Sequence, residues 1–269
     1  YTYAFVGDGC LMEGISHESC SLAGTLGLNK LIVIYDMNNI SIDGDVAIAF
    51  TENIKKRFES YGWNVIDDVN GHNFTSIEQS ITNAKKQQKK PTIICMKTTI
   101  GFGSPNKEGT GGVHGAPLGK DEVALTRQRL KWKHKPFYIP KNIYKAWCNK
   151  AQGKLLENNW LKKVKSYKNK FPKKYNELQR RLKNKLPTIV DKKLSELILT
   201  NKKSMATRKS SQVVLEQIGP YVPELIGGSA DLKESNLVFW PESKAVSKDD
   251  FSGKYIHYGV REFGMCAIS

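Results

Sequence analysis

Short apolar runs alternate with longer stretches of mixed polarity through the first part of the chain. Tyr3-Ala4-Phe5-Val6 leads into Gly7-Asp8-Gly9, and Leu31-Ile32-Val33-Ile34-Tyr35 ends just before Asp36-Met37-Asn38-Asn39. Each run predicts a buried strand, and the glycines let the chain turn tightly at the carboxyl end of the first. The intervening segment is rich in Ser, Ala, Leu and Glu and long enough for one helix. Residues 49–60 predict a helix, Asn64-Val65-Ile66-Asp67 a short strand, 76–88 an amphipathic helix and 91–97 another buried strand. This alternation predicts an α/β fold with a parallel sheet flanked by helices.

The pattern then changes. Residues 101–119 are glycine-rich and without periodicity, so they predict a loop of a length that is usually functional or disordered. Residues 121–133 resume a helical pattern. A new section begins at 136–140, with two lysine-rich helical patterns separated near Phe171-Pro172. Pro187 and the Lys-rich stretch after it read as a connection. From Ala206 the order is helix 210–219, strand 225–228, loop, strand 255–258 and a helix from about Arg261. The expected organisation is a first domain over 1–185, a linker over 186–205 and a second α/β domain over 206–269. The chain opens on a strand and stops within a helix, so truncation at both ends is expected.

Composition narrows the function classes. In 269 residues with 39% hydrophobic content, no apolar stretch has membrane-spanning length. Five cysteines without CxxC spacing argue against a zinc site or a disulfide framework, and fit a reducing compartment. A cytoplasmic protein is expected, with an organelle left open. The net charge of +16 would ordinarily suggest nucleic acid, but it is concentrated. Residues 127–209 hold roughly 26 basic and 4 acidic side chains, so the remainder is mildly acidic. A solvated helical face explains this better than a nucleic-acid patch; an anionic surface or protein partner is the other reading.

Two strand ends side by side, carrying oxygen ligands and glycine amides, suit a metal ion holding a diphosphate. Asp8 can supply a carboxylate oxygen, Asn38 an amide oxygen and Ile40 a backbone carbonyl. Three hard oxygens suit magnesium, or calcium with looser geometry. Gly9 has no side chain, so its amide can approach a phosphate closely. The competing reading is an ordinary turn with polar surface residues.

Six blocks carry a resemblance. They are GDGCLMEGISHESCSLAGTLGLNKLIVIYDMNNISIDG (7–44), TTIGFGSPN (98–106), VHGAPLG (113–119), ATRKSS (206–211), GGSADLKESN (227–236) and YGVREFGM (258–265). In content and order they resemble transketolases, along the whole chain. The resemblance implies a thiamine-diphosphate-binding fold, with metal ligands at Asp8, Asn38 and Ile40. It also implies cofactor contacts at Gly9, Asn38, His114 and Asp231, and substrate contacts at His114, Arg208 and Ser235. Glu262 matches the glutamate that hydrogen-bonds the aminopyrimidine ring nitrogen, and with His114 it is the catalytic candidate. A carboxylate in an apolar site would have its pKa raised and could donate to that nitrogen. From residue types alone, Arg261-Glu262 reads as a surface ion pair and His114 as a solvated loop histidine. Glu13 and Glu18 would lie near a dimer interface. His17, His72, His134 and His257 match no site role and read as structural or surface residues.

The resemblance implies transfer of a two-carbon ketol unit between sugar phosphates by a homodimer using thiamine diphosphate and magnesium or another divalent ion. The alternatives are a dihydroxyacetone or deoxyxylulose-phosphate synthase, or a non-catalytic basic interaction module. Other site residues of the family fall outside this chain, so the chain alone is expected to be inactive.

Overall fold

The computed structural model describes residues 1–201 and 203–269; Lys202, within the expected connection 186–205, lies outside the described residues. Along the chain run β1 (Thr2–Gly7), α1 (Asp8–Met12), α2 (Gly14–Thr25), β2 (Leu31–Met37), β3 (Ile40–Ser41), β4 (Gly44–Asp45), α3 (Ile54–Ser60), β5 (Asn64–Asn70), α4 (Phe74–Lys86), β6 (Thr92–Lys97) and α5 (Lys120–Arg129). There follow α6 (Lys141–Trp147), α7 (Lys150–Lys170), α8 (Pro172–Leu182), α9 (Ile189–Thr200), α10 (Thr207–Ile218), β7 (Gly227–Ser229), α11 (Lys233–Asn236), β8 (Tyr255–His257) and α12 (Glu262–Ile268).

The sheet has the order β1-β2-β6-β5 with every pair parallel. Its central strands are continuous apolar runs because helices cover both faces. Side chains alternate along β2. Val33 and Tyr35 join Leu11, Ala23, Phe58, Trp63, Ile93 and Cys95 in one core cluster, beneath α1, α2 and α3. Ile32 and Ile34 join Val69, Ala84, Ile94 and Met96 in the other, beneath α4. Burial pushes the thiols of Cys20 and Cys95 up, to about 11 and about 12, so both stay protonated and act as small apolar groups.

Close packing is tightest where α2 meets the turn after α3. A Cβ at Gly24 would stand 1.8 Å from the Tyr61 carbonyl oxygen, and backbone cannot give way as a flexible side chain can. Gly24→Ala is therefore expected to destabilise the full-length protein by about 1–3 kcal/mol or more. A thermal unfolding midpoint equal to wild type would contradict that packing.

Several elements differ from the sequence expectation. The helix expected over 49–60 begins only at Ile54, because the Asn53 side chain accepts from Lys56 N (2.9 Å) and caps it there. Residues Val46–Ile48 form a separate 3-10 turn capped by Asp45. β5 continues past Asp67 to Asn70 through a register shift between Ile66 and Val69, where Asp68 takes φ 59°. The expected helix 76–88 begins at Phe74, capped by Asn73. The loop 101–119 contains one 3-10 turn, Gly111–Val113. A short third lysine-bearing helix, α6, precedes the two expected on either side of Phe171-Pro172. Most of the expected connection 186–205 is α9, anchored by buried Val190.

The chain forms two compact units. One comprises Tyr1–Trp132, Ile226–Val238 and Ser243–Ser269; the other comprises Lys133–Leu225 and Phe239–Glu242. These follow different lines from the sequence divisions at 185 and 206. In the first unit the parallel pair β7-β8 leads into α12, which packs on α2. In the second, α9 packs on α10, and the Arg180 guanidinium bridges Glu177 and Glu224. No residue of α6, α7 or α8 is buried, and apolar Trp147, Leu155, Leu156, Trp160 and Leu161 are exposed together with the lysines.

Candidate functional site

The opening strand–helix–strand unit builds the candidate site. β1 and β2 pair with Gly7 opposite Asp36, so their carboxyl ends are level. Helix α1 starts directly at Asp8, and the β3-β4 hairpin follows Asn39, which turns the chain with φ 59°. Gly7, Asp8, Gly9, Asn38, Ile40 and His114 line a cavity of about 490 Å³ at this end of the sheet. Five of the residues expected from sequence are thus together.

Asp8 is 4% exposed. Its Oδ1 accepts from the Tyr35 hydroxyl (2.5 Å) and its Oδ2 from Asn39 N (3.1 Å). Burial, then the hydrogen bond to Asp8, raises the Tyr35 phenol far above its ordinary range, so it remains a donor. Asp8 makes no ion pair among the described residues. A buried carboxylate without a cation is costly, and each of its oxygens keeps a lone pair beyond the bond it accepts. The Asn38 side-chain oxygen accepts from Ile40 N (3.0 Å), which orients that amide. Carboxylate, amide and carbonyl oxygens form a hard donor set that fits magnesium or calcium. No group of three or more His, Cys, Asp or Glu side chains suited to a metal occurs among the described residues, so any ion here would need neutral oxygens in addition to the Asp8 carboxylate. A Cβ at Gly9 would meet nothing within 4 Å, so no internal contact demands glycine, and its backbone stays open to an approaching anion.

The remaining candidates stand apart from this cavity or within the other unit. Glu262 is the first residue of α12 and is exposed, so the apolar surroundings expected around it are not supplied within this chain. The surface ion pair with Arg261 does not form either. That guanidinium donates to Tyr258 O (2.6 Å) and to Ser21 Oγ (3.0 Å). Glu18 accepts from Gly264 N (2.6 Å), joining α2 to the first turn of α12, while Glu13 is exposed. Asp231 is exposed, with φ 62°, next to buried Ser229 and Ala230. Ser235 lies exposed in α11. Arg208 belongs to the second unit, as the exposed second residue of α10.

Two residues of this site escaped the sequence reading. Tyr35 ends an apolar run and reads as core, with nothing local to mark its hydroxyl. Arg57 donates to Leu11 O (3.0 Å) at the end of α1, to Glu52 (2.5 Å) and to His17 Nε2 (3.2 Å). His17 also bonds the Tyr61 hydroxyl (3.0 Å), and His72 Nε2 accepts from Thr99 N (2.9 Å).

The sequence model described as "Transketolase, thiamine diphosphate binding domain" matches residues 1–187, and "Transketolase, pyrimidine binding domain" matches 203–269. The transketolase of Buchnera aphidicola subsp. Acyrthosiphon pisum is 54% identical over the whole chain, and transketolase 1 of Escherichia coli K12 is 52% identical. The chain spans 41% of the length of each. Among solved structures, the transketolase of Pichia stipitis in complex with sedoheptulose 7-phosphate aligns with TM-score 0.90 at 43% identity, covering all of this chain and 40% of that one. The transketolase of Leishmania mexicana aligns with TM-score 0.90 at 38% identity over the same shares. Both sequence models together cover nearly every residue, in an α/β chain with its candidate ligands at the carboxyl ends of parallel strands: the chain belongs to the transketolase family.

Proposed function

We propose that the full-length protein is a transketolase, moving a two-carbon ketol unit from a ketose phosphate to an aldose phosphate. The observation that carries this is the gathering of Asp8, Gly9, Asn38, Ile40 and His114 around one cavity at the ends of β1 and β2. In this reading residues 1–185 are the later part of a diphosphate-binding domain, 186–205 a linker and 206–269 the start of a pyrimidine-binding domain. The family matches over 1–187 and 203–269 support it.

Thiamine diphosphate, when bound, supplies a nucleophilic carbon. Asp8, Asn38 and the Ile40 carbonyl would hold a magnesium or calcium ion against the diphosphate, and the Gly9 amide would donate to a phosphate oxygen. Asp231 would face the cofactor. Glu262 would hold a proton at the aminopyrimidine ring nitrogen. His114 would contact the diphosphate and move a proton at the substrate carbonyl. Arg208 and Ser235 would hold the sugar phosphate through charge-assisted hydrogen bonds. A second copy of the full-length protein would complete the site, giving Glu262 the enclosure it lacks here. The isolated chain is accordingly expected to be inactive. No described helix is long and apolar enough to cross a membrane. A cytoplasmic setting without a nucleic-acid partner completes the reading.

A ketose phosphate and an aldose phosphate supplied with thiamine diphosphate and magnesium should exchange a two-carbon unit in the presence of the full-length protein. No exchange would refute the function. Arg208→Ala should then weaken phosphorylated substrates by about 1.5–3 kcal/mol in kcat/KM. Non-phosphorylated acceptors should barely change. An equal loss for both kinds would give Arg208 a structural role instead.

A further inference from the structure

His114 reaches the cavity from an irregular loop spanning residues 101–119, and a loop of this length needs a device to hold its tip in place. The described side chains supply one. Glu122, in the first turn of α5, is 7% exposed, and its carboxylate is aimed back into the loop. One oxygen accepts from the hydroxyl of fully buried Ser104 and from Asn106 N (2.9 Å). The other accepts from Asn106 Nδ2 (2.9 Å). These bonds, the Ser104 bond foremost, hold the Glu122 carboxyl below the usual carboxylate range, so it is ionised at neutral pH. Nearby contacts brace the same segment. Glu108 accepts from Gly103 N (3.0 Å) and pairs with Arg129, and Lys107 Nζ donates to Leu118 O (2.8 Å). Gly109 N donates to Ile100 O (2.8 Å), closing the first half of the loop on itself. A buried carboxylate bonded to three donors of one loop is a large commitment for a connection with no sheet or helix to support.

We propose that Glu122 is a positioning residue which, by binding Ser104 and Asn106, fixes the loop so that His114 stands at the cavity. The loop is then a braced arm rather than a lid. The proposal rests on the transketolase reading only in assigning His114 its partner; the brace itself is independent of it.

Two measurements on the full-length protein test it. In cofactor-free protein, amide hydrogen exchange across residues 101–114 should quicken about tenfold or more in Glu122→Ala. It should stay near wild type in Glu122→Gln, whose oxygen still accepts from Asn106 N while the Asn106 amide turns to accept from the new NH2. In the holoenzyme, Glu122→Ala should lower kcat/KM by about 10–100-fold, the scale of a small misplacement. In a His114→Ala background the further loss should be within about twofold, because a residue acting through His114 has nothing left to position. If Glu122→Ala does not fold, Ser104→Ala carries the same cycle with a smaller effect. Unchanged exchange, or an equal loss with and without His114, would overturn the proposal. If the wild-type protein transfers no ketol unit, the function fails while the exchange experiment still decides the brace.

Discussion

Glu262→Gln in the full-length protein is expected to bind thiamine diphosphate and magnesium as wild type does, yet to turn over about 10²–10⁴-fold more slowly. Binding should survive because the residues proposed to hold the metal and diphosphate, Asp8, Gly9, Asn38 and Ile40, line a cavity that Glu262 does not line. Glu262 opens α12, and that helix turn is held by other groups. Arg261 bonds Tyr258 O and Ser21 Oγ, and Gly264 N bonds Glu18. The substitution therefore changes chemistry with little change of local structure. An amide cannot share a proton with a ring nitrogen as a carboxylic acid can. Hydrogen–deuterium exchange at the thiazolium carbon reads the affected step directly. Exchange at the wild-type rate would remove Glu262 from the mechanism.

The second large effect is expected at Asp8. Asp8→Ala should abolish magnesium-dependent cofactor binding, because Asn38 and the Ile40 carbonyl are neutral and cannot replace the anionic oxygen. The substitution also strips an acceptor from the Tyr35 hydroxyl and from Asn39 N, so part of its cost is local. Asp8→Asn separates the two contributions. It keeps an oxygen for one of these donors but removes the charge. Calorimetry of cofactor binding with and without magnesium should show both variants insensitive to the metal. A wild-type magnesium response in Asp8→Asn would mean that charge at this position is not what binds the ion.

Much of this site was legible as local sequence. Asp8 and Asn38 each follow an apolar run, and parallel pairing of the two runs necessarily brings their ends together. Glycines at 7 and 9 marked the turn. Other features were hidden for definite reasons. The helix within 186–205 was missed although Val190, Leu194 and Leu197 keep i, i+4, i+7 spacing, because Pro187 and the lysines after it read as a connection. The start of α3 was missed because Asn53 acts through its side chain as a cap, and apolar periodicity does not register that. The reach of β5 depended on a register shift that lets exposed Asp67 and Asp68 sit within a strand.

By itself, the sequence determined the α/β class, the parallel strands and the family, and it named the candidate ligand residues. All of these follow from side-chain period or from short runs of neighbours, and both are properties of a linear chain. Only the tertiary structure decided which groups hold those residues in place. Tyr35 under Asp8, Arg57 behind α1, Glu18 at the first turn of α12 and Glu122 under the His114 loop all act across chain separations from 16 to 246 residues. A hydrogen bond between distant residues leaves no periodic trace, so it becomes visible only when folding brings donor and acceptor together.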